Sequence, residues 1–333
     1  MPAANGFSTT VATKGFNQQA KAISELPLAD VSFLNRGSDD IASDAIPSAV
    51  AAVSGAHGLS AFASLGYGKE RIATGSHVEV KGLTGNIGVA IGAETGAGIA
   101  LAGLFLEFGR GEFDSFNSFA DSPSVNGNGD VTYLGGGILG RFEIGGSDKS
   151  RPYVEASARL GRSKSDFNSR DYGITEGANA TLNLHSRYYG LHAGGGYILN
   201  FQAFEHDGSM DFSGKLFYTR QNGHEMSFLG EHVYLSPVTS VRFRAGARVN
   251  IGLTESVRPF VGGYFEREFD GESRITIGDT RLPKVSLEGN TGIGELGLSM
   301  TSAAVPLTFE VGLQGSGGKR DGIQGAMKVN YTF

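Results

Sequence analysis

Apolar and polar side chains alternate along most of this chain, and this alternation limits the folds open to it. In residues 241–251, Val241 and Phe243 share one face, whereas Arg242 and Arg244 share the other. A period of two residues is typical of a β-strand, because successive side chains point to opposite faces of a sheet. The same repeat is clear in residues 306–315 and 321–333.

The alternation divides the chain into two parts. Residues 1–56 are rich in Ala, Ser and Asp without a two-residue period, and they allow short helices at 18–26 and 39–46 that Pro27 and Pro47 would interrupt. From about Leu59 the pattern is strand, turn and strand as far as Phe333. We predict twelve strands, near 58–67, 76–92, 97–113, 130–145, 151–165, 181–200, 211–221, 239–252, 256–269, 284–300, 306–317 and 321–333. The apolar residues of 181–200 change face, which predicts a β-bulge there.

The predicted connections alternate in length, as they do in outer-membrane barrels with long external loops and short periplasmic turns. We expect long loops at 114–130, 165–180, 221–238 and 270–283, and short turns at 93–97, 145–150, 252–255 and 302–305. Almost every strand has a polar face, and no helices remain to cover the other face. The sequence therefore predicts an all-β, antiparallel, transmembrane β-barrel with an apolar outside and a polar, small-residue inside.

Charged residues on these strands are expected to face the lumen, because Arg or Lys facing lipid at the bilayer midplane costs about 2–4 kcal/mol. The predicted lumen-lining residues are Arg242, Arg244, Arg248, Glu266, Glu268, Glu295 and Glu310.

Composition excludes several classes of function. The net charge is −6 with no basic block, so we expect no nucleic-acid partner. The chain has no cysteine, and its seven histidines show no metal-ligand spacing, so we expect no metal. No signal peptide precedes the strands, so we expect the sequence to be part of a longer protein.

Three stretches resemble the β-domains of autotransporters. They are Asp211–Arg220, Arg258–Gly271 and the final Met327–Phe333, which is similar to the terminal signal of outer-membrane proteins. The resemblance spans roughly residues 40–333 and implies a twelve-stranded barrel that delivers an N-terminal passenger to the cell surface and anchors it there. It implies that residues 1–56 are a passenger remnant and a partly helical lumenal plug, and that 57–333 form the barrel.

The resemblance also implies partners and a location. We expect a monomer in the outer membrane of a Gram-negative bacterium, in contact with outer-membrane lipid, the barrel-assembly machinery, periplasmic chaperones and its own passenger segment. Tyr331 and Phe333 are the expected assembly signal. Asp39, Asp40 or Asp44 could pair with the lumenal arginines and hold the plug.

Two alternatives stay open at this point. A porin-like channel is favoured if the N-terminal segment lies outside the lumen. A rim-site protease or lipase would use loop residues such as Asp114, Asp121, His224 and His232. Two matches to G-x-G-x-x-G, at 135–140 and 292–297, lie inside predicted strands without a following helix. They do not predict a dinucleotide site, and we expect neither a cofactor nor enzyme activity.

Overall fold

The chain forms a closed antiparallel β-barrel of twelve strands in the computed structural model. The structure describes residues 23, 25, 27–36, 57–74, 77–119, 122–145, 149–169, 171, 180–203, 205–228, 231–278, 280–281, 284–302 and 304–333. The barrel strands are β1 (His57–Ala73), β2 (His77–Thr95), β3 (Gly98–Phe119), β4 (Ser122–Ile144), β5 (Ser150–Ser169), β6 (Ala180–Ala203), β7 (His206–Gln221), β10 (Val238–Ile251), β11 (Val257–Glu268), β16 (Gly289–Thr301), β17 (Leu307–Gly318) and β18 (Arg320–Thr332). The first and last strands close the barrel by pairing from Ser60 with Thr332 to Ile72 with Arg320.

All twelve predicted strands are confirmed, but several extend beyond their predicted ends. The expected long loop at 114–130 is wrong, because β3 continues to Phe119 and β4 begins at Ser122. Buried inward-facing residues such as Ser115, Asn117 and Val125 continue the alternation there, so the strands stay paired. The loop at 165–180 is shorter than expected for the same reason, since β5 reaches Ser169.

The other two predicted long loops contain short strands. These are β8 (His224–Phe228), β9 (Glu231–Leu235), β12 (Glu272–Ser273), β13 (Ile275–Ile277), β14 (Thr280–Arg281) and β15 (Val285–Ser286). Four of them form a small sheet in the order β14-β13-β9-β8, which we call the cap sheet, and β12 pairs with β15. The predicted strand 284–300 therefore enters the barrel only at Gly289.

The predicted bulge in 181–200 is wrong. Strand β6 pairs with β5 and β7 without a shift of register. Leu182 and Leu184 are buried inside the barrel, whereas Leu191 on the opposite face is 55% exposed. The apolar residues change face because the inside of the barrel is itself apolar near Leu182 and Leu184, at the start of β6.

The outer surface of the barrel is apolar. Leu160, Leu134 and Leu104 are 71%, 66% and 60% exposed, and similar side chains cover the outward face of most strands. A belt of this kind is what lipid requires of a transmembrane barrel. Within the described ranges, no helix combines the length and the hydrophobicity needed to cross a bilayer.

A short helix lies inside the barrel, which confirms the predicted lumenal segment. Residues 23, 25 and 27–36 are helical, and every one of them is buried. We call these helical residues α1. The expected interruption at Pro27 is wrong, because this residue is part of the helix. Helical stability in proteins comes mainly from tertiary packing, and here the barrel wall encloses the helix on all sides.

Candidate functional site in the barrel lumen

The end of the lumen that carries the long connections holds the first helical residues. Glu25 is 1% exposed and accepts hydrogen bonds from Thr74 at 2.8 Å and from Asn117 at 2.7 Å. Thr74 directly follows β1, and Asn117 lies near the end of β3. The first described helical residues therefore lie at the long-loop end of the barrel.

The later residues of α1 contact deeper parts of the wall. Arg159, near the middle of β5, donates to the carbonyl oxygen of Leu34 at 3.2 Å. Arg36 donates to the carbonyl oxygen of Gly82 on β2 at 3.1 Å, and the amide of Asn35 donates to Ser240 on β10 at 2.9 Å. The chain thus runs from the long-loop end into the lumen, and strands on several sides hold it.

Apolar contacts surround the same helix. Phe33 is 1% exposed, and its ring meets that of Tyr133 edge-on with the centroids 5.5 Å apart. Phe33 belongs to a buried apolar cluster formed by α1, the barrel wall at the long-loop end and the cap sheet. The members include Ile23, Leu28, Val31, Leu34, Ile72, Val80, Phe113, Val131, Phe167, Leu182, Leu184, Val233, Leu235, Ile275 and Ile277. The expected polar, small-residue interior is therefore wrong at this end, because an apolar core fills it.

Asp30 is the charged group at the centre of α1. It accepts hydrogen bonds from the hydroxyl of Ser165 and, at 2.9 Å, from the amide of Gln221. Burial raises the pKa of Asp30 to about 6, and the two hydrogen bonds oppose this rise. Among the described residues, only the neutral donors Ser165 and Gln221 hold the carboxyl of Asp30, and none forms an ion pair with it.

Glu266 on β11 joins the predicted arginines of β10. Its carboxylate lies 3.3 Å from Arg242 and 2.8 Å from Arg244, and it also pairs with Arg320 of β18. Arg242 and Glu266 are both 1% exposed. Because Arg244 stands opposite Glu266 in the strand register, the pairing follows directly from the alignment of the two strands.

Three of the four remaining predicted charges form a second group nearer the short-turn end of the barrel. Arg248 pairs with Glu310 at 2.6 Å and lies 4.0 Å from Glu295, while its guanidinium lies 3.5 Å from the ring centroid of Phe260. Lys328 pairs with Glu310 at 3.3 Å. Glu268 lies apart from this group and accepts from Ser240 at 2.6 Å.

Two further buried networks were not predicted from the sequence. Glu107 pairs with Arg159 at 3.0 Å and accepts from the hydroxyl of Tyr188 at 2.7 Å. Glu155 pairs with Arg141 at 3.3 Å and with Lys215 at 3.0 Å. The strand alternation that identified Arg242 also places these residues on inward faces, so applying it to every strand would have found them.

Glycine makes room for the first of these networks. A Cβ atom at Gly135 or Gly161 would collide with the hydroxyl end of Tyr188. The glycines of the first G-x-G-x-x-G match lie in β4. Gly135 therefore has a packing role, because it lets the ring of Tyr188 lie close to the barrel wall.

Several predicted residues lie elsewhere. Asp39, Asp40, Asp44 and Asp121 are outside the described residues. Asp114 is on β3, and His224 and His232 are on β8 and β9, so these three are not in irregular loops. In the described part of the chain, no cluster of His, Asp and Glu side chains could hold a metal ion.

The last residues of the chain lie on the outside of the barrel. Phe333 is 72% exposed, Tyr331 is 38% exposed, and their ring centroids are 5.0 Å apart. The backbone N–H of Phe333 donates to the carbonyl of Leu59 at 2.9 Å, which ties the end of the chain to β1.

Fold and lumen together define a transmembrane β-barrel whose interior is occupied by its own N-terminal helix. Residues 59–313 match the family described as "Autotransporter beta-domain". The chain belongs to this family, and it functions as an outer-membrane translocator for a linked passenger segment.

Solved structures of autotransporters share this fold. The transport unit of AIDA-I from Escherichia coli aligns with a TM-score of 0.63 and 14% identity, over 83% of this chain and 90% of that one. The β-domain of the Bordetella autotransporter BrkA aligns with a TM-score of 0.62 and 15% identity, over 84% of this chain and 100% of that one. The translocator domain of NalP from Neisseria meningitidis aligns with a TM-score of 0.56 and 16% identity, over 86% of this chain and 92% of that one. A comparison with curated protein sequences gave no match.

Proposed function

We propose that the chain delivers its passenger through the lumen and then holds the connecting segment there as α1. The direction of α1 carries this proposal. Glu25 contacts Thr74 and Asn117 at the long-loop end, whereas Leu34 contacts Arg159 near mid-barrel. A passenger joined before residue 23 would leave from the long-loop end, which corresponds to the extracellular side of outer-membrane barrels.

In this proposal residues 1–56 are the passenger tail and plug, and 57–333 are the membrane anchor. The barrel resides in the Gram-negative outer membrane as a monomer, with its exposed apolar belt in lipid. Periplasmic chaperones keep the chain unfolded before insertion, and the barrel-assembly machinery recognises Tyr331 and Phe333. The exposure of both rings supports this last role, since a recognition signal must be accessible.

The lumenal charges have a structural role in this account. We assign Arg242, Arg244, Arg248, Glu266, Glu268, Glu295 and Glu310 to the lining of the transport path. All seven form ion pairs or hydrogen bonds with other barrel residues. A lining that neutralises its own charges does not bind a passing polypeptide tightly. The barrel itself performs no catalysis in this proposal.

The occupied lumen also separates this function from that of an open channel. Side chains of β1, β3, β5, β7 and β10 hydrogen-bond α1, so a solute would have to displace the helix. An open porin would leave that space to water.

An epitope placed before residue 23 tests the proposal on intact cells. Antibody added from outside should label cells that carry the full chain, and external protease should remove the label without cutting the barrel. As a matched control, an epitope inserted in the short connection between Thr95 and Gly98 should be labelled only after the outer membrane is opened. Labelling of the control epitope alone on intact cells would contradict the proposed orientation.

A further inference from the structure

Basic side chains ring the outside of the barrel just beyond its apolar belt. On seven strands, the first charged outward residue toward the long-loop end is Lys or Arg. We call this set the basic collar, and it comprises Lys69, Lys81, Arg110, Arg162, Arg187, Arg220 and Arg267. The apolar residues two positions below include Tyr67, Leu160 and Tyr189, with exposures of 60%, 71% and 43%.

Part of the basic collar is neutralised by neighbouring carboxylates. Lys69 pairs with Glu79 at 2.7 Å and Lys81 with Glu112 at 3.1 Å. Arg267 pairs with Glu288 at 2.9 Å. These three cations have their counter-ions within the protein.

The arginines of β5, β6 and β7 differ from them. Among the residues that the structure describes, no carboxylate pairs with Arg162, Arg187 or Arg220. Arg162 stands directly opposite Arg187 in the register, and Arg220 stands opposite Tyr189, diagonal to Arg187. Such positions bring Cβ atoms to about 5 Å directly and about 7–8 Å diagonally, and like charges directly opposite destabilise a sheet. We call these three residues the arginine cluster.

We propose that the arginine cluster binds the phosphate headgroup of a membrane lipid in the leaflet at the long-loop end. Arginine offers several N–H donors that match the oxygens of a phosphate, and a bound phosphate removes the repulsion between neighbouring guanidinium groups. This inference rests on the membrane insertion described above.

The surface below the arginine cluster identifies the ligand as a lipid instead of a free anion. Leu160 lies opposite Tyr189 and directly continues the outward face that carries Arg162 and Arg187. Leu134 and Leu191, which are 66% and 55% exposed, extend the same apolar surface across the neighbouring strands. Acyl chains attached to the bound phosphate would therefore pack against the barrel.

Spin-labelled phosphatidylglycerol in phosphatidylcholine bilayers gives a direct test with the full chain. We expect the wild-type barrel to immobilise this lipid selectively over labelled phosphatidylcholine. In the triple variant R162Q/R187Q/R220Q the selectivity should fall roughly tenfold, since each Arg near a membrane surface contributes substantially to anionic lipid binding. The variant K69Q/K81Q/R267Q removes the same charge from paired positions and should stay within about twofold of the wild type.

Three results would overturn the proposal. An equal loss of lipid selectivity in both triple variants would indicate a general effect of charge. Unchanged selectivity in R162Q/R187Q/R220Q would exclude the arginine cluster as the site. Full competition by inorganic phosphate would show that the arginines recognise a free anion. Insertion is measured separately by heat modifiability on gels, so a barrel that fails to insert contradicts the translocator account and not the lipid site alone.

Discussion

At the scale of single residues, buried charges are held by several partners each. Glu266 is the clearest case, because Arg242, Arg244 and Arg320 all pair with its carboxylate. Removing one partner of a buried ion pair leaves an uncompensated charge, whereas removing an exposed pair has little effect. The lumenal charges therefore differ strongly from surface charges in their effect on stability.

Glu266→Gln is expected to destabilise the barrel by about 3–5 kcal/mol, because buried guanidinium groups lose their shared counter-ion. Urea unfolding of the barrel in lipid vesicles measures this change. Glu112→Gln is the control, since Glu112 is 63% exposed in its pair with Lys81 and its loss should cost less than about 1 kcal/mol. Equal effects of the two substitutions would contradict the assigned role of Glu266.

Asp30 predicts a pH dependence with a defined sign. Burial raises the pKa of Asp30 from 3.8 to about 6, so the docked helix binds a proton more tightly than the undocked chain. Docking of α1 is therefore strengthened as the pH falls from about 6 toward 4, and the ionised carboxylate weakens docking above that range.

The substitution Asp30→Asn should remove this dependence. The introduced side-chain amide can accept a hydrogen bond from Gln221 through its oxygen. It can donate another to the hydroxyl of Ser165, which can rotate to accept it. We expect the variant to unfold at a higher temperature than the wild type at about pH 8 and at a similar temperature at about pH 5. Calorimetry in detergent measures both differences, and a variant less stable than the wild type at the higher pH would contradict the account.

At the scale of elements, α1 is held by side chains that fill the lumen. Phe33 contacts Tyr133, and a Cβ at Gly111 would lie 3.0 Å from the Phe33 ring. Truncating a buried Phe to Ala typically costs about 3–5 kcal/mol. The contacts of this ring are thus a large part of what keeps the helix in place.

Phe33→Ala should loosen α1 without harming the barrel. We expect longer and more frequent open events in single-channel recordings from planar bilayers, because the helix leaves the lumen more often. Phe269→Ala is the matched control, since Phe269 is 55% exposed and should leave the recordings unchanged. Closed recordings for both variants would show that other contacts alone hold the helix.

The cap sheet is a second element that seals the lumen. Val233 and Ile275 are both 0% exposed and belong to the cluster that contains α1. The double substitution V233N/I275N should detach the cap sheet and raise conductance, because it places polar groups in an apolar contact. Thr276→Asn on the partly exposed face is the control, and conductance that does not change in the double variant would rule out a sealing role.

The sequence predicts the wall of the barrel better than its contents. Alternation identified all twelve strands, and the cost of charge in lipid predicted inward-facing arginines such as Arg242. Alternation predicted a bulge in 181–200 because apolar residues were expected only on the lipid face. Leu182 and Leu184 instead belong to the buried cluster that contains α1. Residues 27–36 are buried on every side, so they carry no amphipathic period from which the helix could be predicted.

At the scale of the whole molecule, barrel, helix and cap sheet form one structure around a continuous core. The upper wall, α1 and the two long connections contribute to the same buried cluster. The position of α1 in the barrel therefore explains both the direction of the passenger and the closure of the lumen after delivery.

A thiol cross-link between α1 and the wall tests this account most directly. The chain has no native cysteine, and the side chains of Asn35 and Ser240 are 2.9 Å apart. In outer membranes from cells that express the Asn35→Cys/Ser240→Cys variant, a short bifunctional thiol reagent should join the two residues efficiently. The pair Asn35→Cys/Ser302→Cys, with Ser302 in a short turn at the other end of the barrel, should not react. Absence of the first cross-link, or equal yields from both pairs, would contradict a helix held inside the barrel.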